Sequence, residues 1–478
     1  VHHPERGVER AESRIQRDEE ILPGPLRHST TSLATVDPTS GRLVRRVCHH
    51  RPHAGPPRRH PSAPNGGTGL DDPALDVALR GLTGGDLLIA PLAGAAAFAA
   101  AAYAIGRGDG APLLLVDADD AGDLVGALAM ARDGGSIGAT VRERLIQSAA
   151  FALAAALAPV ARGGDEFPER QLLLLERMRT FQHGENPHQR AAAYRYASRT
   201  GAGVLGAQLV QGSEPTLNDL LDLDAGARLV ADLPIPSAAL IRHTDPIGAA
   251  TAETPLGALK RALETDHTAT SGAIVALNTP IDRAVAAEIA SGSYEGAVAP
   301  GVADERAAAA LAARPELRVL LYAPEHPQAP ELIGLGDALL LQTADHGAIE
   351  RSELRVVTER RPTLEELTDA LFAWRVVRHV RSNAIVVARH ASTLGIGAAQ
   401  VNRRVAVEIA LQRAGDRARC SAISTATRPF AEGIAAAAAA GITAVVQPGG
   451  SRRDNAAIEI ANRNGMAMLF TGRRHYRR

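Results

Sequence analysis

Residues 430–472 read FAEGIAAAAAAGITAVVQPGGSRRDNAAIEIANRNGMAMLFTG. An Ala-rich helix stops at Gly441. A β-branched run, ITAVV, then breaks into the turn at Pro448-Gly449-Gly450. A second amphipathic segment ends at Gly465 and leads into the short apolar run MAMLF. Helix punctuation by glycine and short apolar strands between helices predict an α/β sheet with helical crossovers. The pattern extends upstream. NAIVVAR (383–389) reads as a strand, QVNRRVAVEIALQRAG as a helix stopped by Gly415, and RCSAIST as another strand. Ligands of such sheets bind beyond the carboxyl ends of the strands. QPGGSRRD and FTGRRHYRR stand at two of those ends.

Bulk composition narrows the function. The 478 residues are enough for two or three domains. A formal net charge of −1 supplies no field that would favour nucleic acid or a membrane. Cys48 and Cys420 cannot form a disulfide framework, and no His/Cys cluster has structural-zinc spacing, so no metal is expected. The N-terminal residues lack the apolar core of a secretory signal. The apolar stretch at 85–105 is interrupted by Asp86, Pro91 and Gly94 and reads as a core helix. A soluble cytoplasmic protein is the expectation. Lys260 is the only lysine. Arginine has replaced lysine throughout, so an Arg at any one position says little by itself.

Three regions are expected. Residues 1–75 are rich in Arg, Pro and His, show no helical or strand period, and read as a disordered segment. Residues 76–178 carry an Ala-rich pattern that includes the strand APLLLV and the amphipathic helix ATVRERLIQSAAFALAAALA. Residues 179–478 hold the chemistry.

Four stretches there carry candidate groups. SAALIRHTDPIG (237–248) is an apolar run that ends on Arg242 and His243 and turns at Asp245-Pro246. An imidazole can take or give a proton near neutral pH, whereas Arg stays protonated and can only hold an anion or polarise a carbonyl. His243 is therefore either a proton-transfer group or a structural histidine. His188, in FQHGENPHQR, is a ligand contact or a surface histidine. The Gly449-Gly450 turn is an anion cradle or an ordinary strand-to-helix connection. RSNAIV places Asn383 at a strand start, and LGIGAAQVNRR places Arg403 at a helix start.

Taken in order, GENPHQ, RHTDPIGAA, TSGAIVALN, EGAVAPG, FAWRVVRHVRSNAIV, LGIGAAQVNR, PFAEGIAAAAAAGITAVVQPGGSRRD and MAMLFTGRRH resemble the PurH family of bifunctional purine-biosynthesis enzymes. That family combines an AICAR formyltransferase with an IMP cyclohydrolase. The likeness runs from about residue 176 to 478, is weaker over about 85–175 and is absent over 1–70.

The resemblance implies a C-terminal transformylase region (179–478) of cytidine-deaminase-like α/β subdomains. A truncated methylglyoxal-synthase-like α/β remnant would precede it over 76–178. It implies formyl transfer from 10-formyltetrahydrofolate, a co-substrate, to the 5-amino group of AICAR in a homodimer. His243 matches the family's proton-transfer His, Arg242 stands at its assisting Lys, Asp245 at its usual Asn, and Asn383 at the Asn that steadies the formyl oxygen and the amine. Asn186, Pro187 and His188 match a nucleotide-side motif. Gly272, Glu295 and Arg403 match substrate-contacting positions. Pro448 and Gly449 match a ligand-facing turn, and Arg474 a phosphate-binding arginine.

The departures from the family pattern are specific. Gln182 and His183 replace Arg and Tyr. Ser271 replaces a ring that packs on the base. Thr425, Thr427 and Arg428 replace an acid and two aromatics on the folate side, and Glu432 replaces an Asp. Loss of ring stacking costs on the order of 1 kcal/mol per ring, so weaker folate binding is expected. In the cyclohydrolase half, Ala90, Ala102 and Ala104 align with a functional Asp, Lys and His, and the KTLHP motif has no counterpart. The expectation is a chain without cyclohydrolase activity. The alternative is a non-catalytic relative that binds nucleotide or a partner.

Overall fold

The computed structural model describes residues 139–162, 166–197, 201–323, 329–345, 349–426 and 431–478, together with the backbone of four short strands nearer the N-terminus. The chain divides into two compact units. One comprises Val1–Glu176 with Tyr196–Ser198, the other Arg177–Arg195 with Arg199–Arg478.

In the first unit, β1 (Ser32–Val36), β2 (Leu43–Val47), β3 (Leu87–Ile89) and β4 (Leu113–Leu115) form one sheet in the order β2-β1-β3-β4. β1 pairs antiparallel with β2, and β3 runs parallel to both β1 and β4. β1 and β2 lie in the stretch where the sequence shows no strand period. The rest of residues 1–75, and Ala90, Ala102 and Ala104, fall outside the described residues. The helix expected at ATVRERLIQSAAFALAAALA forms as α1 (Ala139–Arg162) and buries Leu145 and Ala149.

The second unit begins with most of a two-stranded ribbon, β5 (Leu175–Phe181) and β6 (Ala191–Tyr196). Two halves built on the same plan follow. The first runs β7 (Gln208–Gln211), α2 (Leu217–Ala231), β8 (Ser237–Arg242), β9 (Asp245–Thr251), α3 (Pro255–Leu263), β10 (Ile274–Leu277), α4 (Arg283–Ser291), β11 (Gly296–Ala299), α5 (Glu305–Leu311) and β12 (Arg318–Leu321). A second ribbon, β13 (Glu331–Leu335) with β14 (Ala338–Gln342), intervenes. The second half runs β15 (Arg355–Val356), α6 (Leu364–Val377), β16 (Ile385–Arg389), β17 (Ser392–Gly397), α7 (Arg403–Ala414), β18 (Ala422–Thr425), α8 (Ala431–Ala439), β19 (Ala444–Gln447), α9 (Asp454–Arg463) and β20 (Ala467–Phe470).

All strands of the two halves join one mixed sheet of 12, in the order β15-β20-β19-β18-β16-β17-β9-β8-β10-β11-β12-β7. Each half contributes an antiparallel hairpin at the centre, three mutually parallel strands beside it, and an antiparallel strand at the edge. The halves meet where β9 pairs with β17.

The repeat is visible residue by residue. Asp232 and His379, 147 apart, are equivalent ends of α2 and α6. The same spacing of 147 relates Thr216 to Thr363, Asp222 to Asp369, His243 to His390 and Gly248 to Gly395. Both Thr216 and Thr363 head capping boxes, with Asp219 and Glu366 returning the bond to the cap's own N–H.

The sheet is covered on both faces. α2 and α6 share one core, in which Leu223, Leu229, Phe372 and Trp374 pack with Ile241, Val386 and Leu469. On the other face, α3–α5 cover the first half through Leu259, Val285 and Ile289, and α7–α9 cover the second through Val407, Ile434 and Ala457. A strand buried on both faces needs a continuous apolar run rather than an alternating one. SAALI in β8 is buried at every position, and β10, β11, β19 and β20 are buried throughout. Two glycines set how closely the helices approach. A Cβ at Gly248 would lie 2.1 Å from the Ala262 carbonyl oxygen, and one at Gly395 would lie 2.1 Å from that of Ala410.

Candidate active site

β8 and β9 pair up to Arg242 opposite Asp245, which leaves His243 and Thr244 as a two-residue turn. Both adopt positive φ, 55° and 63°. Such turns favour Asn-Gly, since their twist demands left-handed backbone at both positions. A histidine and a β-branched threonine held there cost of order 1–3 kcal/mol each, which the surroundings must offset. The exposed imidazole projects from the turn, and among the described residues it accepts or donates no hydrogen bond.

Arg381, just upstream of Asn383, ties this turn to the second half. Its backbone N–H and Nε donate to the Asp245 carboxylate at 2.9 and 2.8 Å, and Nη2 donates to the His243 carbonyl at 3.3 Å. Asp245 is thus charge-paired. The neighbouring Ser382 donates its N–H to the Arg477 carbonyl at 2.7 Å, and Arg477 Nη1 donates to the Thr244 carbonyl at 3.2 Å. Burial pulls the Arg477 guanidinium below its usual pKa, with Asp245 opposing. The basic C-terminal run is therefore built into the site at Arg477.

Asn383 follows Ser382 through a cis peptide bond. Its Nδ2 donates to the carbonyls of Gln400 and Val401 at 2.8 and 3.1 Å. Two carbonyls beside one end of the amide fix its orientation, leaving Oδ1 as the group on offer. Arg403 Nε approaches that oxygen at 3.4 Å. Asn402, adjacent to Arg403, caps α7 by accepting from the Arg404 N–H.

Arg242, at the exposed end of β8, lies with two further predicted residues. A Cβ on Gly272 would stand 3.7 Å from Glu295 Oε2 and 3.9 Å from Arg242 Nη2. Glu295 pairs with Arg318 at 2.8 Å, and Arg318 also approaches Asp219 at 3.5 Å. A basic and an acidic side chain thus flank an open glycine at the carboxyl-terminal side of the first hairpin strand.

Pro448 and Gly449 border an open cleft of about 430 Å³, lined also by Glu353, Arg355, Gly450, Phe470 and Thr471. Gly449 has φ 73°, and a Cβ there would strike the Phe470 ring at 2.4 Å, so only glycine fits. Arg473 pairs with Glu353 at 2.7 Å, and the next residue, Arg474, is exposed. Asn186, Pro187 and His188 form the exposed β5–β6 turn. Gln189 Oε1 accepts from the Asn186 N–H and Nδ2, both at 3.0 Å. Among the described residues no hydrogen bond joins that turn to the His243 hairpin. Thr427 and Arg428 fall outside the described residues, while Thr425 is buried in β18. Among the described residues, no group of three or more His, Cys, Asp or Glu could hold a metal, and no helix is long and apolar enough to cross a membrane.

Sequence reading missed Asp222, Arg381 and Arg477. Asp222 accepts the N–H groups of His243 and Thr244 from 21 and 22 residues upstream. Its signal in the sequence is the internal repeat, which pairs it with Asp369.

The family model of the AICARFT/IMPCHase bienzyme matches residues 114–413. A PurH protein of Anoxybacillus flavithermus is 39% identical over 317 residues, covering 66% of this chain and 62% of the relative. Those of Nostoc sp. and Paracoccus denitrificans are each 42% identical, over 302 and 332 residues, covering 63% and 66% of this chain and 59% and 62% of the relatives. The chain thus spans about three fifths of the length of the curated relatives it matches. With the model covering more than half of its residues, this chain belongs to the AICARFT/IMPCHase bienzyme family, that of the PurH proteins.

Proposed function

We propose that this chain transfers a formyl group from 10-formyltetrahydrofolate to the 5-amino group of AICAR and does not close the purine ring. The observation that supports this best is the junction of His243 with Asn383 and Arg403 through Arg381 and Arg477. In this reading the amine nitrogen attacks the formyl carbon, and the bond from that carbon to the folate nitrogen breaks. His243 takes the amine proton and delivers it to the leaving nitrogen. Arg242, a fixed cation, stabilises the oxyanion that develops on the formyl oxygen. Asn383 has both amide hydrogens committed to backbone carbonyls, so it steadies the amine through Oδ1 rather than donating to the formyl oxygen.

The remaining assignments follow the family resemblance. Gly272, Glu295, Arg403, Asn186, Pro187 and His188 contact the nucleotide, Pro448 and Gly449 face the ligand, and Arg474 holds its phosphate. The two halves of the second unit are read as cytidine-deaminase-like subdomains and the first unit as a methylglyoxal-synthase-like remnant. The assembly is a homodimer, which sedimentation would test. The missing cyclohydrolase rests on alanine at 90, 102 and 104, and formation of IMP from formyl-AICAR by the chain alone would refute it.

The deciding experiment incubates the purified chain with AICAR and 10-formyltetrahydrofolate and follows release of tetrahydrofolate. Turnover should fall by about 10²-fold or more in His243→Ala. Equal rates in wild type and variant would sink the proposal. The replacements Ser271, Thr425, Thr427 and Arg428 favour a second reading, a silent relative that binds nucleotide. AICAR binding without turnover would establish it.

A further inference from the structure

We propose that Asp222 is a positioning residue for His243, acting from α2 through the backbone of the turn. The inference rests on His243 being the proton-transfer group. The turn has four backbone polar groups, and each is taken by a side chain from a distant element. Asp222 Oδ2 accepts from the His243 N–H at 3.1 Å, and Oδ1 accepts from the Thr244 N–H at 2.6 Å. Arg381 donates to the His243 carbonyl, and Arg477 to the Thr244 carbonyl. An ionised carboxylate accepts at both oxygens, so one side chain can fix two successive N–H groups. With both residues at positive φ, the turn depends on that grip, and the imidazole stays unengaged for substrate.

Burial pushes the Asp222 carboxyl above its usual pKa, while the two N–H groups pull it down. Asp222 is thus a partly desolvated anion aimed at the turn that carries the imidazole.

The second half supplies an internal control. Asp369 accepts from the N–H groups of His390 and Ala391, which have φ of 53° and 51°. There Arg261, from α3, donates to the His390 carbonyl. The same carboxylate grip therefore holds a turn to which no chemistry is assigned. If Asp222 served stability alone, neutralising either aspartate would have the same consequences.

The test compares Asp222→Asn, Asp222→Glu and Asp369→Asn in the full chain. An amide replaces one acceptor oxygen by a donor, so Asn can keep only one of the two bonds. Asp222→Asn should lower kcat by about 30-fold or more, with the KM for AICAR within about threefold, since misplacing a catalytic group by about 1 Å can cost 10²-fold. Amide exchange at 243–244 should accelerate. Asp369→Asn should lose comparable thermal stability, accelerate exchange at 390–391, and keep kcat within about twofold. Asp222→Glu retains both oxygens, should recover part of the rate, and stands in if the Asn variant fails to fold. An unchanged kcat in Asp222→Asn, or equal kcat losses in Asp222→Asn and Asp369→Asn, would overturn the proposal. If the wild type shows no turnover, the formyltransferase reading fails separately. Asp222 is then judged by exchange and by the rate at which diethyl pyrocarbonate modifies His243, and unchanged values in Asp222→Asn would overturn its role.

Discussion

At the residue scale, Asn383 shows how position and protonation chemistry separate. Its side chain is anchored by donation to two backbone carbonyls, and only the oxygen faces Arg403. Asn383→Asp would set a carboxylate against those carbonyls, removing both donors. Such a hydrogen bond contributes about 0.5–1.5 kcal/mol net. We expect Asn383→Asp to lower stability in urea by about that amount and to abolish formyl transfer, and a variant with wild-type turnover would contradict the assignment. Arg242 poses a different question, because this chain has a single lysine, Lys260. Its guanidinium keeps the charge but spreads it over a planar fork.

At the element scale, the close approach of helix to hairpin is set by glycine. Gly395→Ala would drive a Cβ to 2.1 Å from the Ala410 carbonyl oxygen, and α7 would have to move off β17. Overpacking of this kind costs typically 1–3 kcal/mol, and a rigid backbone contact belongs at the upper end, so a loss of about 3 kcal/mol in chemical denaturation is expected. The crossover elements of the second half were readable because Gly415, Gly441 and Gly465 punctuate them and their strands are short β-branched or apolar runs. The central hairpins were less so. SAALIRHTDPIG reads as one strand and a turn, but pairing with β10 and the meeting of β9 with β17 depend on contacts far apart in sequence. Ordered motifs singled out His243, Asn383 and Arg403 as candidates. Asp222 was not, since a lone aspartate in a helix carries no local mark of what its carboxylate will accept.

At the scale of the whole molecule, the ends of α2 and α6 meet in a buried pair. His379 Nε2 donates to Asp232 at 2.5 Å, and Arg378 reaches the same oxygen at 3.1 Å. Burial, aided by Arg378 and Arg477, holds the His379 pKa below its ordinary value against the pull of Asp232. The unfolded chain therefore binds a proton near pH 6.5 that the folded one refuses. Stability should decline as pH falls from about 6.5 toward the folded value, by at most about 1.4 kcal/mol per pH unit from this group. His379→Gln should flatten that decline in urea titrations at successive pH values. Asp222, Asp224 and Asp369 act in the opposite sense, because burial raises their pKa and the folded state takes up protons first on further acidification.

The join between the two halves has its own consequence. Ser392 stands opposite Ala250 where β9 meets β17, with Thr251 donating to Ala391 and Thr393 exchanging bonds with Ala249. In the proposed reading, the proton-transfer group His243 and the anchored amide Asn383 stand on opposite sides of that ladder. The candidate site thus straddles the seam between the two halves, which also share the core under α2 and α6. Slippage at the seam would separate those two groups while leaving each half's helices and strands intact. Under rising denaturant, turnover should vanish before far-ultraviolet dichroism changes, and coincident loss of both would show that the halves fail as one body.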